Sequence, residues 1–177
     1  DVLHEVFPGK HFYQFYKGTS DFLNVMISYF QAGLEAGEAC LWLVSRRNGV
    51  DFSLVTAANL IPRFSGYESS GQFMILSAED WYLTDGCFDE DRAVGNIESY
   101  LEKSRSQGFN RVRAAGDIGG AIPREDWPRV EVYERKISTW LKANSVIALC
   151  SYPILECAPS QVKGILDSHE DVLIGRL

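Results

Sequence analysis

Polar side chains capable of chemistry follow three apolar segments that resemble buried β-strands. They are the carboxylates of Asp80 and Asp117, the phenols of Tyr82 and Tyr152, and the thiol of Cys150. Ligands of open parallel α/β sheets bind outside the carboxyl ends of the strands, so we expect these side chains to line a ligand site. A carboxylate beside aromatic surface can orient a polar ligand, and a thiol can ligate a metal or react with an electrophile. The simpler alternatives are a helix cap at Asp80 and core packing at Cys150.

Two histidines add further chemistry. His11 begins an aromatic strand-like run, and His169 ends a helix, where a cationic imidazole would interact favourably with the helix dipole. A nucleophilic pair of Cys150 and His11 stays open, because catalytic partners need not be close in sequence. A metal held by His11, Cys150 and His169 is another alternative, but the sequence does not favour it. We therefore expect no cofactor.

The segment after the first strand lacks a phosphate-binding loop. Lys17-Gly18-Thr19-Ser20 is too short for the glycine-rich GxxxxGK[ST] motif, whose backbone amides wrap a phosphate. A residual nucleotide-binding or hydrolysing domain that uses Lys17, Thr19 and Asp117 remains an alternative function.

Apolar strand-like segments alternate with amphipathic helices, which predicts a three-layer αβα fold around a mostly parallel sheet of five to six strands. The predicted strands are Phe12–Phe15, Ala39–Val44, Phe73–Leu76, Val112–Ala115, Val146–Cys150 and Val172–Ile174. The predicted helices run from Thr19 or Ser20 to Gly37, over Asp51–Leu60, from Asp89 to Gly108, from Pro123–Pro128 through Leu141, and from a Ser160 cap to His169, with a loop over Ser65–Gly71.

Composition excludes several classes of protein. The net charge of −7 opposes nucleic-acid binding, and we interpret the short basic clusters Arg46-Arg47 and Arg111-x-Arg113 as solvated strand ends. We expect no membrane span, and the four cysteines without CxxC pairing indicate a reduced, cytoplasmic protein. The length suits one domain over residues 1–177, with its core at about 11–174, excised from a longer multidomain protein.

A series of motifs occurs in consistent order over residues 11 to 173. It comprises His11 with its aromatic strand, Ala32–Cys40, Asp80-Trp81-Tyr82, Arg111–Asp117, Tyr133-Glu134, Cys150-Ser151-Tyr152 and His169 before Val172-Leu173. In this order the motifs resemble the MEDS domain, a sensory domain named from methanogen and methylotroph signalling proteins and a dichloromethane-responsive regulator. The run from Gly33 to Leu41 and the later Gly116-Asp117 are also similar to the circadian-clock and recombinase type of ATPase core, without its phosphate loop.

The resemblance implies a non-catalytic input domain of a prokaryotic signal-transduction protein. Its ligand would be a small organic molecule such as a simple hydrocarbon derivative. Its partner would be an output domain in the same polypeptide, a kinase or a DNA-binding domain, in a two-component or transcription-regulating system, and a homodimer is left open. The ligand-site residues that the resemblance implies are His11, Asp117 and Cys150, supported by Tyr13, Asp80, Tyr82, Glu134 and Tyr152.

Overall fold

A six-stranded parallel sheet forms the centre of the fold in a computed structural model that describes residues 6–174. Its strand order is β3-β2-β6-β7-β1-β8, and a two-stranded antiparallel ribbon pairs β4 with β5. The strands are β1 (His11–Tyr16), β2 (Ala39–Val44), β3 (Phe73–Ser77), β4 (Leu83–Thr84), β5 (Cys87–Phe88), β6 (Val112–Gly116), β7 (Val146–Pro153) and β8 (Asp171–Val172).

Helices cover both faces of this sheet. They are α1 (Thr19–Glu35), α2 (Val50–Leu60), α3 (Phe64–Ser69), α4 (Ala78–Tyr82), α5 (Glu90–Ser106), α6 (Ile118–Ala121), α7 (Trp127–Asn144) and α8 (Pro159–Ser168). One core lies between the sheet and α1 to α3, with Trp42 at its centre, and the other lies between the opposite face and α4 to α8. The predicted αβα fold with a parallel sheet is therefore confirmed.

Strand composition explains the sheet. Every residue of β2 is buried, as expected for a parallel strand covered on both faces, where apolar residues run continuously instead of alternating with polar ones. The neighbours of β2 are β3 and β6, and β1 lies between β7 and β8. The connection from β1 to α1 consists of only Lys17 and Gly18.

Local signals set several helix starts. Asp89 accepts a hydrogen bond from the backbone N–H of Arg92, 3.0 Å away, and so caps α5 as its acidic start predicts. Ser77 caps α4 in the same way through the N–H of Asp80, at 3.2 Å.

Several predicted boundaries are wrong, and β7 in particular continues to Pro153, three residues beyond its predicted end. The segment predicted as a loop over Ser65–Gly71 is mostly helix α3, which packs the ring of Phe64 into the core. The cap of α8 is Ala158, whose N–H donates to the side chain of Gln161, so Ser160 lies inside the helix. The last strand begins at Asp171, one residue before the predicted start.

The interpretation of Arg113 as a solvated residue is also wrong. Its side chain is fully buried, and its Nε lies 2.5 Å from the Glu38 carboxylate, while Arg111 reaches the other Glu38 oxygen at 2.7 Å. Gly33 permits this packing, because a Cβ there would lie 2.7 Å from the Arg113 side chain. The ion pair thus connects the motif around Gly33 and Glu38 to β6.

Candidate functional site

Four polar side chains meet inside the core on the α7 and α8 side of the sheet. They are His11 of β1, Glu134 of α7, Cys150 of β7 and His169, which follows α8, and each is buried. The Nε2 atom of His11 lies 3.3 Å from the Cys150 sulfur and 3.3 Å from Oε2 of Glu134. That carboxylate oxygen is 3.8 Å from the sulfur and 3.6 Å from Nε2 of His169. All four ligand-type atoms lie within 4.8 Å of one another.

Strand register brings the first pair together. In the parallel pairing of β1 with β7, His11 is opposite Ala148 and Tyr13 is opposite Cys150. Since alternate residues of a strand share a face, His11, Tyr13 and Cys150 point to the same side of the sheet. A residue at the amino end of β1 therefore reaches one in the middle of the longer β7.

The helices supply the other pair. Glu134 lies on the inward face of α7, between the buried residues Val130 and Ile137. His169 is the residue at which α8 ends, and its Nδ1 lies 2.8 Å from the carbonyl oxygen of Ile165. A carbonyl only accepts, so in the neutral ring Nδ1 carries the proton and the lone pair of Nε2 faces Glu134.

Electrostatics keep Glu134 ionised. Burial alone would raise the pKa of this carboxyl, but the hydrogen bond from His11, the nearby imidazoles and the Tyr152 hydroxyl overcome it and hold the pKa below its usual value. The Tyr152 hydroxyl donates to Oε1 at 2.9 Å, which leaves Oε2 for the cluster. Tyr152 therefore orients the carboxylate.

The thiol and the second imidazole are both neutral. Burial, reinforced by the Glu134 carboxylate, raises the pKa of Cys150 well above its ordinary value. Burial lowers the pKa of His169 to about 4, despite the opposing effect of Glu134. The expectation of a cationic imidazole stabilising the helix dipole is therefore wrong. A cysteine nucleophile acts as thiolate, so the proximity of Cys150 to His11 does not by itself activate the sulfur.

A small apolar cavity of about 40 Å³ adjoins the cluster. His11 and Cys150 form part of its wall, and Tyr82 lines it as well. The remaining lining is almost entirely aliphatic and aromatic and includes Leu41, Leu43, Trp81, Ile97, Ala114, Tyr133, Ile137 and Leu141. The cavity therefore offers an apolar chamber with a thiol and an imidazole at its wall.

Asp117 belongs to a different cluster, at the carboxyl edge of the sheet. Its buried carboxylate accepts hydrogen bonds from Tyr16 at 2.9 Å, from Asn48 at 2.8 Å and from Ser45. Burial raises the pKa of this carboxyl, although those hydrogen bonds oppose the shift. Gly120 packs directly against the side chains of Asp117 and Ser45, since a Cβ on Gly120 would lie 2.6 Å from the Asp117 carboxylate. Three side-chain donors and this backbone therefore enclose the Asp117 carboxylate in the core.

Asp80 lies outside both clusters. It is exposed and pairs with the exposed Arg46 at 3.0 Å. The tyrosines fall beside the buried cluster: the ring of Tyr13 is 5.7 Å from that of His169, and the ring of Tyr152 is 5.9 Å from it. The structure thus brings together His11, Tyr13, Tyr82, Glu134, Cys150 and Tyr152 of the predicted set, and separates Asp80 and Asp117 from them.

Reasoning from residue types alone missed the place of Glu134. A signal was present, because Glu134 lies four residues after Val130 and three before Ile137, on the apolar stripe of an amphipathic helix. A carboxylate in that position is buried and needs partners. His169 was considered only for the helix dipole and as an alternative metal ligand.

Fold and site together define an α/β domain whose polar chemistry is enclosed in its core beside a small apolar chamber. Its family follows from comparison: a model described as MEDS, "MEthanogen/methylotroph, DcmR Sensory domain", matches residues 10–170. The chain belongs to this family of sensory domains. No curated protein matches the chain. Within residues 6–174, none of the helices combines the length and apolar character needed to span a lipid bilayer.

Proposed function

We propose that this domain is the ligand-sensing input module of a prokaryotic signal-transduction protein and that it binds a small organic molecule, such as a simple hydrocarbon derivative. The observation that carries the proposal is the apolar cavity beside His11 and Cys150. The domain senses and does not itself catalyse; its output is a kinase or DNA-binding domain in the same polypeptide.

The size of the cavity limits the ligand. One water molecule needs about 10–15 Å³ of such space, so the cavity of about 40 Å³ suits a molecule of about two to four non-hydrogen atoms. Its walls are aliphatic at Leu41, Leu43 and Ile137, which favours an alkyl or halogenated group. A single polar function on the ligand would lie against the His11 imidazole or the Cys150 thiol.

Signalling requires that the ligand bind one conformation more tightly than another, because only differential affinity shifts a population. The cavity is bounded by β1 and β7 of the sheet and by Ile97 of α5 and Ile137 of α7. A ligand that fills it changes how these two helices pack on the sheet, and this change in packing is the signal passed to the output domain.

Calorimetry against small alcohols, aldehydes, methylated amines and halocarbons tests the proposal. A matched pair of variants sharpens it: Ile137→Val enlarges the cavity, whereas Ile147→Val removes the same methylene from a buried residue on the opposite face of β7. Each should cost about 0.5–1.5 kcal/mol of stability. Only Ile137→Val should shift the preference towards a larger ligand.

The contrary result is equally definite. No binding across the panel, together with stabilisation of the protein by magnesium-ATP in a thermal-shift assay, would overturn the sensing proposal in favour of residual nucleotide binding. An identical change of ligand preference in the two variants would remove the cavity as the binding site.

A further inference from the structure

We propose that His11, Glu134, Cys150 and His169 form a binding site for one divalent transition-metal ion, with Zn²⁺ the ion that the donor set suits best. This inference goes beyond ligand sensing and does not depend on the occupant of the neighbouring cavity. The site is a closed set of two imidazoles, one carboxylate and one thiolate, drawn from β1, α7, β7 and the end of α8.

Four of the six interatomic distances are close to those of a tetrahedral metal centre. Zinc lies about 2.0–2.1 Å from nitrogen, 2.3 Å from sulfur and 2.0–2.2 Å from oxygen, so a regular tetrahedron separates its ligand atoms by about 3.3–3.6 Å. The four distances between ligand atoms reported above are 3.3, 3.3, 3.6 and 3.8 Å. These are four of the six separations within the cluster, and the other two are at most 4.8 Å.

One lone pair already points into the cluster, and His11 supplies a second when its proton, which Nε2 donates to Glu134 in the metal-free protein, moves to Nδ1. Because Nδ1 of His169 donates to Ile165, its Nε2 presents a lone pair to the interior and has no hydrogen-bond partner among residues 6–174. That lone pair faces the carboxylate oxygen of Glu134, so two acceptors stand 3.6 Å apart. A cation between them turns an unfavourable contact into two bonds.

Charge balance favours the same ion. A Zn²⁺ ion with one thiolate, one carboxylate and two neutral imidazoles has no net charge, which removes the main cost of burying ions in a protein core. The metal's own charge deprotonates a coordinating thiol, so the neutral Cys150 of the metal-free protein becomes a ligand on binding.

Outer contacts orient two of the four ligands as in established metal sites. The imidazole of His169 donates its Nδ1–H to the backbone carbonyl of Ile165, and a carbonyl is a usual partner of a metal-bound histidine. The Tyr152 hydroxyl donates to the Glu134 oxygen that does not face the cluster. Four protein ligands leave no open coordination position, so the metal ties α7 and α8 to the sheet as a structural centre.

The test begins with tag-free protein purified without chelator and with a reductant present. Elemental analysis should find about one metal ion per chain, or reach that ratio after Zn²⁺ is added and excess is removed. Co²⁺ titrated into metal-free protein should give the intense visible bands of tetrahedral cobalt and a thiolate-to-cobalt charge-transfer band.

Variants identify the ligands. Cys150→Ser should abolish the charge-transfer band, whereas Cys40→Ser, an equally buried cysteine on the other face of the sheet, should keep it. Tyr152→Phe retains all four ligands and should weaken metal affinity about 10- to 100-fold. This variant preserves shape and so tests the site even where loss of Cys150 prevents folding.

Two results would overturn the metal site. One is folded wild-type protein, shown by circular dichroism, that holds neither Zn²⁺ nor Co²⁺ after reconstitution. The other is cobalt spectra and affinity unaltered by Cys150→Ser and Tyr152→Phe. The panel of organic ligands is measured with and without Zn²⁺, so failure of the metal site is distinguished from failure of ligand sensing.

Discussion

Removing the charge of Glu38 should destabilise the fold more than any surface substitution. The Glu38 carboxylate is fully buried and joins the buried Arg113 at 2.5 Å and Arg111 at 2.7 Å. The Arg113 guanidinium otherwise donates to the carbonyl oxygen of Tyr29 at 3.0 Å and lies over the ring of that tyrosine. In Glu38→Gln the carboxylate becomes a neutral amide of the same size, and the Arg113 charge remains buried beside it.

The magnitude follows from the cost of removing one charge of a buried ion pair. Breaking a buried ion pair by removing one partner costs about 3–5 kcal/mol. For a domain of this length, about 2–4 °C of melting temperature is lost per kcal/mol, so we expect Glu38→Gln to melt about 6–20 °C below the wild type. Replacing both partners, as in Glu38→Leu with Arg113→Met, should recover much of this loss because both buried charges are removed together.

Urea unfolding of Glu38→Leu, of Arg113→Met and of the double variant gives the coupling energy between the two side chains. Glu35→Gln, three residues earlier and exposed at the end of α1, is the matched control and should stay within about 0.5 kcal/mol of the wild type. A Glu38→Gln protein within about 1 kcal/mol of the wild type would refute the reasoning, as would additive effects in the double variant.

Three further predictions concern neighbouring features. Gly33→Ala should lower the melting temperature, since its Cβ would lie 2.7 Å from the Arg113 side chain; unchanged calorimetric melting would contradict this. Burial raises the pKa of Asp117, so its contribution to stability is present below the unfolded pKa and is lost as pH rises through the folded value. The stability of Asp117→Asn relative to wild type should therefore increase from acidic to neutral pH, and a flat difference in urea unfolding would exclude the effect. Zn²⁺ should slow hydrogen exchange of α8 amides more than that of α1 amides. Equal slowing in both helices would show that the metal does not attach α8 to the sheet.

Much of the fold could be predicted because β2 and the first five residues of β7 are continuous apolar runs. The predicted bounds of Ala39–Val44 are those of the structure. A strand buried on both faces is a continuous apolar run, which can be recognised in the sequence without knowing its neighbouring strands. The burial of Arg113 could not be predicted, because its partner Glu38 lies 75 residues away in sequence and only the pairing of β2 with β6 brings them together. Helix α3 was missed because its glycine and serines are typical of a loop.

The site was predictable in its residues but not in its geometry. The rule that ligands bind at the carboxyl edge of a parallel sheet selected Asp117 and Cys150 together, yet they lie in different clusters. The same rule gave no reason to choose His11. His11 reaches Cys150 only because β1 and β7 pair in the register that places Tyr13 opposite Cys150. The two residues are over 130 positions apart in sequence, so no short turn fixes the register of their strands, and the alternation of buried residues alone does not choose among registers that differ by two.

The position of the buried cluster identifies the element through which occupancy can act. Helix α8 has Ile165 as its buried residue, so few apolar contacts attach it to the rest of the domain, and elements of this kind open at low free-energy cost. The ring of His169, which follows α8 directly, is also buried. The next residue, Glu170, donates its N–H to the carbonyl oxygen of His11, and the chain then pairs as β8 with β1. An occupant that binds both imidazoles therefore adds directly to the attachment of α8 and β8, while α1 on the opposite face of the sheet has its own large core. Since a ligand shifts an equilibrium only by its differential affinity for two states, the docking of α8 and β8 is the equilibrium that this cluster can bias most.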